Sequence, residues 1–264
     1  MYSWHRGPLK SVMTNRDRNG DREASDGLSA TRGISACLTA DELDHLLARM
    51  QPRKFRRGDF VFRASDPDQN VYFLQRGRIK LYRLSEEGRE IIMRFCVSGE
   101  LFGLIDTVRG TRRVISAQAS DDSEVFVMAN ERFQEYLENH GKLAIFIMTM
   151  FSRRVNMLGD LLTRFISGDV NARILWLIKH LADRHGVPAG NDVEISIPLT
   201  HQEIANMAGT TRQTVTSVLT DLRRRNIVSL ENQHICVRYD LLEKMIGDHA
   251  AAAPTARFGI DSGP

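Results

Sequence analysis

The 264-residue chain has only three cysteines, Cys37, Cys96 and Cys236. They are too few for a disulfide framework and too far apart for C-x-x-C metal spacing. A reducing cytoplasm is therefore the expected compartment. Long apolar runs are also missing. No stretch approaches the roughly 18 apolar residues of a membrane helix, and the polar, charged N-terminus lacks the apolar core of a secretory signal, so no membrane partner is expected. Net charge is small: 36 Lys and Arg against 33 Asp and Glu leave +3. Recognition of nucleic acid would have to rest on local charge. The phosphate-loop, nucleophile-elbow and H-E-x-x-H signatures of common enzymes are absent, and the expectation is that the protein is not an enzyme. What is present, 42% hydrophobic and 26% charged residues, is ordinary for a globular protein and excludes disorder throughout.

The chain changes character along its length. Residues 1–36 are polar and aperiodic and read as a tail, as does the Ala/Pro/Gly-rich segment 249–264. Thr39-x-x-Glu42 has capping-box spacing and opens a short helix. Short β-branched and aromatic runs follow, at 60–62, 71–74, 78–84, 91–97, 114–119 and 125–128, punctuated by Gly58, Asp66-Pro67, Gly77, Gly88, Gly99 and Gly110. That spacing predicts an antiparallel barrel or sandwich. From Asn130, read as an N-cap, the pattern is helical. Ala144, Met148, Phe151, Val155, Leu158, Leu162 and Phe165 then alternate steps of four and three, a heptad seam. The seam predicts a parallel homodimer, the alternative being that it packs on the chain's own barrel. Ser167-Gly168-Asp169 reads as a hinge. The expected division is a sensor domain over 37–130, a dimerisation helix region over 131–167 and a further domain over 168–248.

That last domain carries the most informative stretch, LTHQEIANMAGTTRQTVTSVLTDLRRRNIVS from Leu199 to Ser229. Thr200-x-x-Glu203 is a second capping box, Gly209 supplies a tight turn, and Thr210 or Thr211 caps a second helix. Val215, Leu219 and Leu222 give that helix one buried face. Arg212, Gln213, Thr216, Ser217 and Thr220 lie off it, with groups that can read base edges. Arg223, Arg224 and Arg225 are either phosphate contacts or a solvated helix end. Helix, glycine turn, helix, followed by a hairpin over 227–239, is the order of a winged helix-turn-helix, and double-stranded DNA is the expected partner.

The order barrel, long helix, hinge, winged helix-turn-helix resembles the Crp/Fnr family of bacterial transcription regulators over about residues 37–245. The resemblance implies an α+β fold: an antiparallel β jelly roll of the cyclic-nucleotide-binding kind, a long dimerisation helix and a C-terminal winged helix-turn-helix. It implies a homodimer that binds DNA and works with RNA polymerase. It places Arg212, Gln213 and Ser217 at base-reading positions, and Thr200, His201, Gln202, Thr211 and Thr214 at positions that touch phosphates. The cyclic-AMP branch has Glu where Gln213 stands and Arg where Ser217 stands, so a different half-site is implied at those steps.

The sensor residues are mixed. By resemblance, Arg113 falls where a phosphate-binding arginine belongs, but Leu104 replaces the ribose-binding Glu and Val114 the adjacent Ser. Leu158 and Gly159 stand where the helix contacts adenine, so cyclic AMP in the family's usual pose is not expected. Phe102-Gly103-Leu104-Ile105 with Arg113 and Arg154 is similar to the 2-oxoglutarate site of the nitrogen-regulator branch, which has a Glu where Gly159 stands. The effector set so implied is Phe102, Gly103, Leu104, Ile105, Arg113, Val114 and Arg154. The candidate effector is a small anion, 2-oxoglutarate or a cyclic nucleotide. The competing expectation is a ligand-independent regulator whose roll is a scaffold and partner surface. No metal is expected: Cys37 alone cannot hold the iron–sulfur cluster of the oxygen-sensing branch, and Cys96 reads as a small buried hydrophobe.

Overall fold

The computed structural model describes residues 33–34, 37–166, 169–231 and 233–252. Its first helix, α1 (Ala40–Leu47), is held by the expected capping box: the Thr39 side chain accepts from the Glu42 N–H, and Glu42 reaches back to the Thr39 N–H. The core begins earlier than the sequence suggests. Ile34 is buried and its N–H donates to Gly99 O at 2.9 Å, so the expected tail over 1–36 is anchored at Ile34. Residues 1–32, 35 and 36 lie outside the described residues.

Eight strands follow: β1 (Gln51–Phe55), β2 (Phe60–Phe62), β3 (Asn70–Arg76), β4 (Arg78–Leu84), β5 (Glu90–Val97), β6 (Leu101–Phe102), β7 (Ser116–Ala119) and β8 (Ser123–Ala129), with the short helix α2 (Leu104–Val108) between β6 and β7. They form two four-stranded antiparallel sheets, β1-β8-β3-β6 and β2-β7-β4-β5. Successive side chains of β3 point to opposite faces. Tyr72 and Leu74 face an interior shared with Phe62, Ile79, Leu81, Cys96 and Phe102. Val71 and Phe73 face an outer core shared with Ile34, Leu46, Phe133, Leu143 and Ile147. Gly77 makes the one-residue turn from β3 to β4 at φ +100, where a Cβ would collide with Ser123 Oγ.

That outer core is covered by α3 (Asn130–Asn139) and the start of α4 (Gly141–Ile166). Asn130 is the first helical residue rather than the N-cap: Ala129 takes the cap position and offers no side-chain bond. Beyond its first turns α4 leaves the roll, and its apolar side chains emerge into solvent, with Met148, Val155 and Leu162 each more than 60% exposed. Asp169 caps α5 (Val170–His185), accepting from the N–H groups of Asn171 and Ala172. The hinge residues Ser167 and Gly168 lie outside the described residues.

The C-terminal half contains β9 (Gly186–Ala189), β10 (Asp192–Ile195), α6 (His201–Ala208), α7 (Arg212–Arg224), β11 (Val228–Glu231), β12 (His234–Val237) and α8 (Tyr239–Ala252). Its sheet runs β11-β12-β10-β9. Pro188 sits in β9, an edge strand, where its missing N–H costs no ladder bond. The end of the chain departs from expectation: α8 runs into the segment read as a tail from 249. Leu242 is fully buried against α5's core, with Met245 and Ile246 one turn on, an i, i+3, i+4 signal that the sequence does carry.

The two halves touch. Tyr82, Ile92 and Phe95 of the roll share one apolar cluster with Ile174, Ile178, Ile204 and Leu219. Arg78 of β4 donates to Pro198 O, and Arg184 of α5 reaches Glu100 at 2.7 Å.

Candidate nucleic-acid interface and sensor site

The helix-turn-helix is built from local chemistry. Thr200 Oγ1 accepts from Glu203 N at 3.1 Å and Glu203 Oε2 accepts from Thr200 N at 2.8 Å, closing the second capping box. Gly209 ends α6 in the left-handed region, φ 62 and ψ 47, which costs other residues roughly 1–2 kcal/mol. Thr211, not Thr210, caps α7, accepting from Thr214 N at 3.2 Å. Val215, Leu219 and Leu222 are buried, which rolls Arg212, Gln213, Thr216, Ser217 and Thr220 onto the solvent face. Thr200, Gln202 and Thr211 are exposed as well, and His201 and Thr214 are half-buried.

The hydroxyls on this face are already oriented. Thr216 donates to Arg212 O at 2.9 Å and Thr220 to Thr216 O at 2.8 Å. Their single protons are used within the helix, so toward a partner they act as acceptors. His201 Nδ1 lies 2.8 Å from Thr216 Oγ1. That contact ties the first turn of α6 to the recognition face. Burial and the Arg212 guanidinium push the His201 imidazole below its ordinary value. Of the arginine run, Arg225 pairs with Asp221 at 2.8 Å, an exposed pair.

The sensor residues gather in part: Phe102, Gly103 and Arg113 meet in the roll, whereas Arg154 has other partners. Arg113 is fully buried and already neutralised: its Nε donates to Asp68 Oδ2 at 3.0 Å and its Nη1 to Gly103 O at 2.6 Å, while Nη2 donates to Asp68 and to Asn70 O. The rings of Phe62 and Tyr72 flank the guanidinium at 4.2 and 5.7 Å. Tyr72 Oη donates to the same Asp68 at 2.9 Å, and burial with that carboxylate pushes the phenol well up. Arg113, the expected effector arginine, therefore stands with a resident carboxylate as its partner. Asp68 follows the Asp66-Pro67 turn, and no local signal in the sequence marks that it pairs 45 residues away. Phe102 and Leu104 are core side chains, and Phe102 stacks on Tyr72 with centroids 5.0 Å apart. Gly103, at φ +79, keeps Tyr72 and Arg113 close: a Cβ there would stand 2.9 Å from Tyr72 Cδ2. Ile105 is exposed and Val114 half-buried.

Arg154 keeps other company. Its Nη2 lies 3.3 Å from Met150 Sδ, and its charged neighbours are Arg94, Arg184 and Glu100. Burial and Arg94 push its guanidinium down to about 9. The heptad residues also divide. Met148, Val155, Leu158 and Leu162 are exposed, joined by Ile145 and Ile166, whereas Ala144 and Phe151 are half-buried, Phe151 against the roll's outer core. Phe165 also makes a contact within the chain: its ring, exposed on its other side, packs on Gly209 and Arg173.

Residues 52–140 match the cyclic nucleotide-binding domain, and residues 172–245 match the Crp-like helix-turn-helix domain. A global nitrogen regulator of Synechocystis is 32% identical over 185 residues, 69% of this chain and 82% of that protein. The chain belongs to the Crp/Fnr family of transcription regulators. A second relative of this Crp/Fnr regulator, the CRP-like cAMP-activated global transcriptional regulator of Mycobacterium tuberculosis, is 24% identical over 212 residues, 80% of this chain and 95% of that one. A CooA mutant from Carboxydothermus hydrogenoformans has the same fold, with TM-score 0.70 at 19% identity over 83% of this chain and 97% of that one. FixK2 from Bradyrhizobium japonicum matches at TM-score 0.63 and 19% identity, covering 74% of this chain and 96% of that one. This Crp/Fnr regulator is therefore a DNA-binding transcription regulator of mixed α+β fold, with a sensor domain of the cyclic-nucleotide-binding type. The relatives are transcription regulators, not enzymes. Among the described residues no helix is long and apolar enough to cross a membrane.

Proposed function

We propose that two copies of this regulator pair through α4 and present their α7 helices to successive major grooves of a near-palindromic operator, about 34 Å apart. The observation that carries this reading is the pairing of two unused faces. One is the polar face of α7; the other is the apolar stripe of α4 around Met148, Val155, Leu158 and Leu162. Arg212, Gln213 and Ser217 read bases. Thr200, His201, Gln202, Thr211 and Thr214 approach phosphates, with Thr216 and Thr220 as acceptors along the groove. The working boundaries are those of the sensor roll over 37–130, the dimerisation region over 131–167 and the DNA-binding domain over 168–248, with Ile34 and α8 added to the folded part. The site of action is the cytoplasm, on promoters engaged by RNA polymerase.

A small anionic effector controls the regulator, 2-oxoglutarate or a cyclic nucleotide being the candidates. The names of the relatives support effector control, one being cAMP-activated and the other a nitrogen regulator. The second reading, a roll that serves only as scaffold, is favoured by the Asp68–Arg113 pair.

Selection of binding sites from random duplexes, followed by a gel-shift series, tests the DNA-binding reading. Arg212→Ala should weaken binding to the selected site by about 1–3 kcal/mol and relax preference at one position in each half-site. An Arg212→Ala protein that binds the selected site as tightly and as selectively as wild type sinks the assignment.

A further inference from the structure

Three guanidinium groups meet where the roll, α4 and α5 come together. Arg94 comes from β5, Arg154 from α4 and Arg184 from α5. One carboxylate, Glu100, serves the group. Arg94 Nη1 donates to its Oε2 at 2.8 Å and Arg184 Nη2 to its Oε1 at 2.7 Å, and the Val97 N–H adds a 3.4 Å bond. Both carboxylate oxygens are thus engaged before Arg154 is reached. Among the described residues Arg154 forms no ion pair, and its Nη2 faces the thioether of Met150. The Nε–H groups of Arg154 and Arg184 are buried and have no acceptor.

The adjoining Cys96 and His185 add no compensating charge. Burial raises the Cys96 thiol to about 11, so it stays protonated. Burial and Arg184 lower the His185 imidazole to about 3, so it stays neutral. Burial raises Glu100 while Arg94 and Arg184 lower it, and the net result is a carboxyl at about 2, ionised throughout the physiological range. Three cations and one anion leave an excess of two positive charges in a site that water does not reach well. Buried charge is costly unless it is paired.

We propose that this junction binds a small dianion, a dicarboxylate or a phosphate, whose oxygens accept from the Nε–H groups of Arg154 and Arg184 beside Arg94. The proposal rests on the reading that the regulator is effector-controlled, and it moves the anion away from Arg113, where Asp68 already stands. Two negative charges match the excess, and planar guanidinium forks suit carboxylate or phosphate oxygens. Glu100 fills one side of the cluster, so the ligand is compact.

The site spans both halves of the protein. Arg94 and Arg154 belong to the sensor and its helix, whereas Arg184 belongs to the first helix of the DNA-binding half. A dianion held by all three is bound best when α5 is docked on the roll. By linkage its binding favours that docked arrangement, and undocking weakens it.

Thermal melts and titration calorimetry on the full chain test this, with 2-oxoglutarate, inorganic phosphate and the monoanion cyclic AMP as probes at matched ionic strength. A saturable rise in melting temperature with 2-oxoglutarate or phosphate, and not with cyclic AMP, is the expected result; which of the two saturates identifies the source of the dianion. Arg154→Leu and Arg184→Gln should each weaken that binding at least tenfold. Arg154→Leu should also melt no lower than wild type without ligand, because it removes a buried unpaired cation. Arg212→Ala, on the distant recognition face, should keep the full response. Dianion binding that survives in both Arg154→Leu and Arg184→Gln overturns the site while leaving effector control standing. If neither dianion binds but cyclic AMP changes operator binding, the site is again overturned alone. If no probe changes either melting or operator binding, the site and the effector reading both fall.

Discussion

The ring of Phe165, at the end of the dimer helix, lies against Gly209 in the turn of the helix-turn-helix. A Cβ on Gly209 would stand 3.0 Å from Phe165 Cε1 and 3.1 Å from Cζ. The Arg173 guanidinium covers the same ring at 4.6 Å and donates through Nε to Ala208 O at 3.3 Å. The last turn of α4 therefore grips the residues that set the angle between α6 and α7.

Gly209→Ala tests that grip. The alanine must adopt φ 62, at roughly 1–2 kcal/mol, and must also push on the ring. Phe165→Ala removes the push but loosens the turn. The double variant should lose less stability than the sum of the single losses, since the two residues are in contact. Urea denaturation of the four proteins measures the coupling. Strict additivity would show that the ring and the turn are independent.

The α4 stripe gives a second outcome. Val155 is 67% exposed in the single chain, so Val155→Glu should leave the fold of one subunit intact. It should nevertheless abolish self-association, because a buried Glu in a coiled-coil seam faces its symmetry mate as a like charge. Sedimentation velocity should show a monomer that melts nearly as wild type and binds operator far more weakly. A dimer of unchanged affinity would place the interface elsewhere.

The residues show why some of this was legible in the sequence and some was not. Short-range chemistry read true: both capping boxes, the glycine turn and the buried stripe of α7 involve partners three or four residues apart, and β-branched and aromatic runs between turn residues marked most of the roll. Long-range pairing did not show. Asp68 reaches Arg113 across 45 residues, and nothing in either neighbourhood announces it. The arginine junction draws on β5, α4 and α5 and has no local pattern. The heptad stripe was visible, but its contacts within the chain were not: Phe151 packs toward the roll and Phe165 toward Gly209, while Ile145 and Ile166 also lie on the open face. Helix α8 was missed although Leu242, Met245 and Ile246 carry its period.

The Asp68–Arg113 pair predicts a stability effect. Asp68→Ala leaves a fully buried guanidinium with only carbonyl partners, Gly103 O and Asn70 O. Breaking a buried pair from one side costs about 3–5 kcal/mol. The denaturation midpoint of the full chain should fall accordingly, and Asp68→Asn, which keeps an acceptor, should fall less. Equal stability of wild type and Asp68→Ala would show that Arg113 does not depend on this carboxylate.

Acid should unfold the α5 junction in two stages, and the sign follows from which state binds protons first. His185 ordinarily titrates at 6.5 but is lowered to about 3 by burial and Arg184. The unfolded chain therefore takes up this proton before the folded one does. The stability is complete above pH 6.5 and is lost as pH falls from there toward 3, at about 1.4 kcal/mol per pH unit. His180, lowered by burial and Arg184, adds in the same direction. Glu100 ordinarily titrates at 4.5 and is held near 2, where Arg94 and Arg184 outweigh the cost of burial, so its contribution is present above 4.5 and is lost as pH falls toward 2. The melting temperature should decline gently from pH 7 to 5 and steeply below 4.5. His185→Gln should flatten the first stage, leaving the residual slope of His180, and should make the second stage shallower, reduced mainly to the Glu100 contribution. A His185→Gln protein with the wild-type slope between pH 7 and 5 would show that this imidazole is free to take up its proton in the folded state.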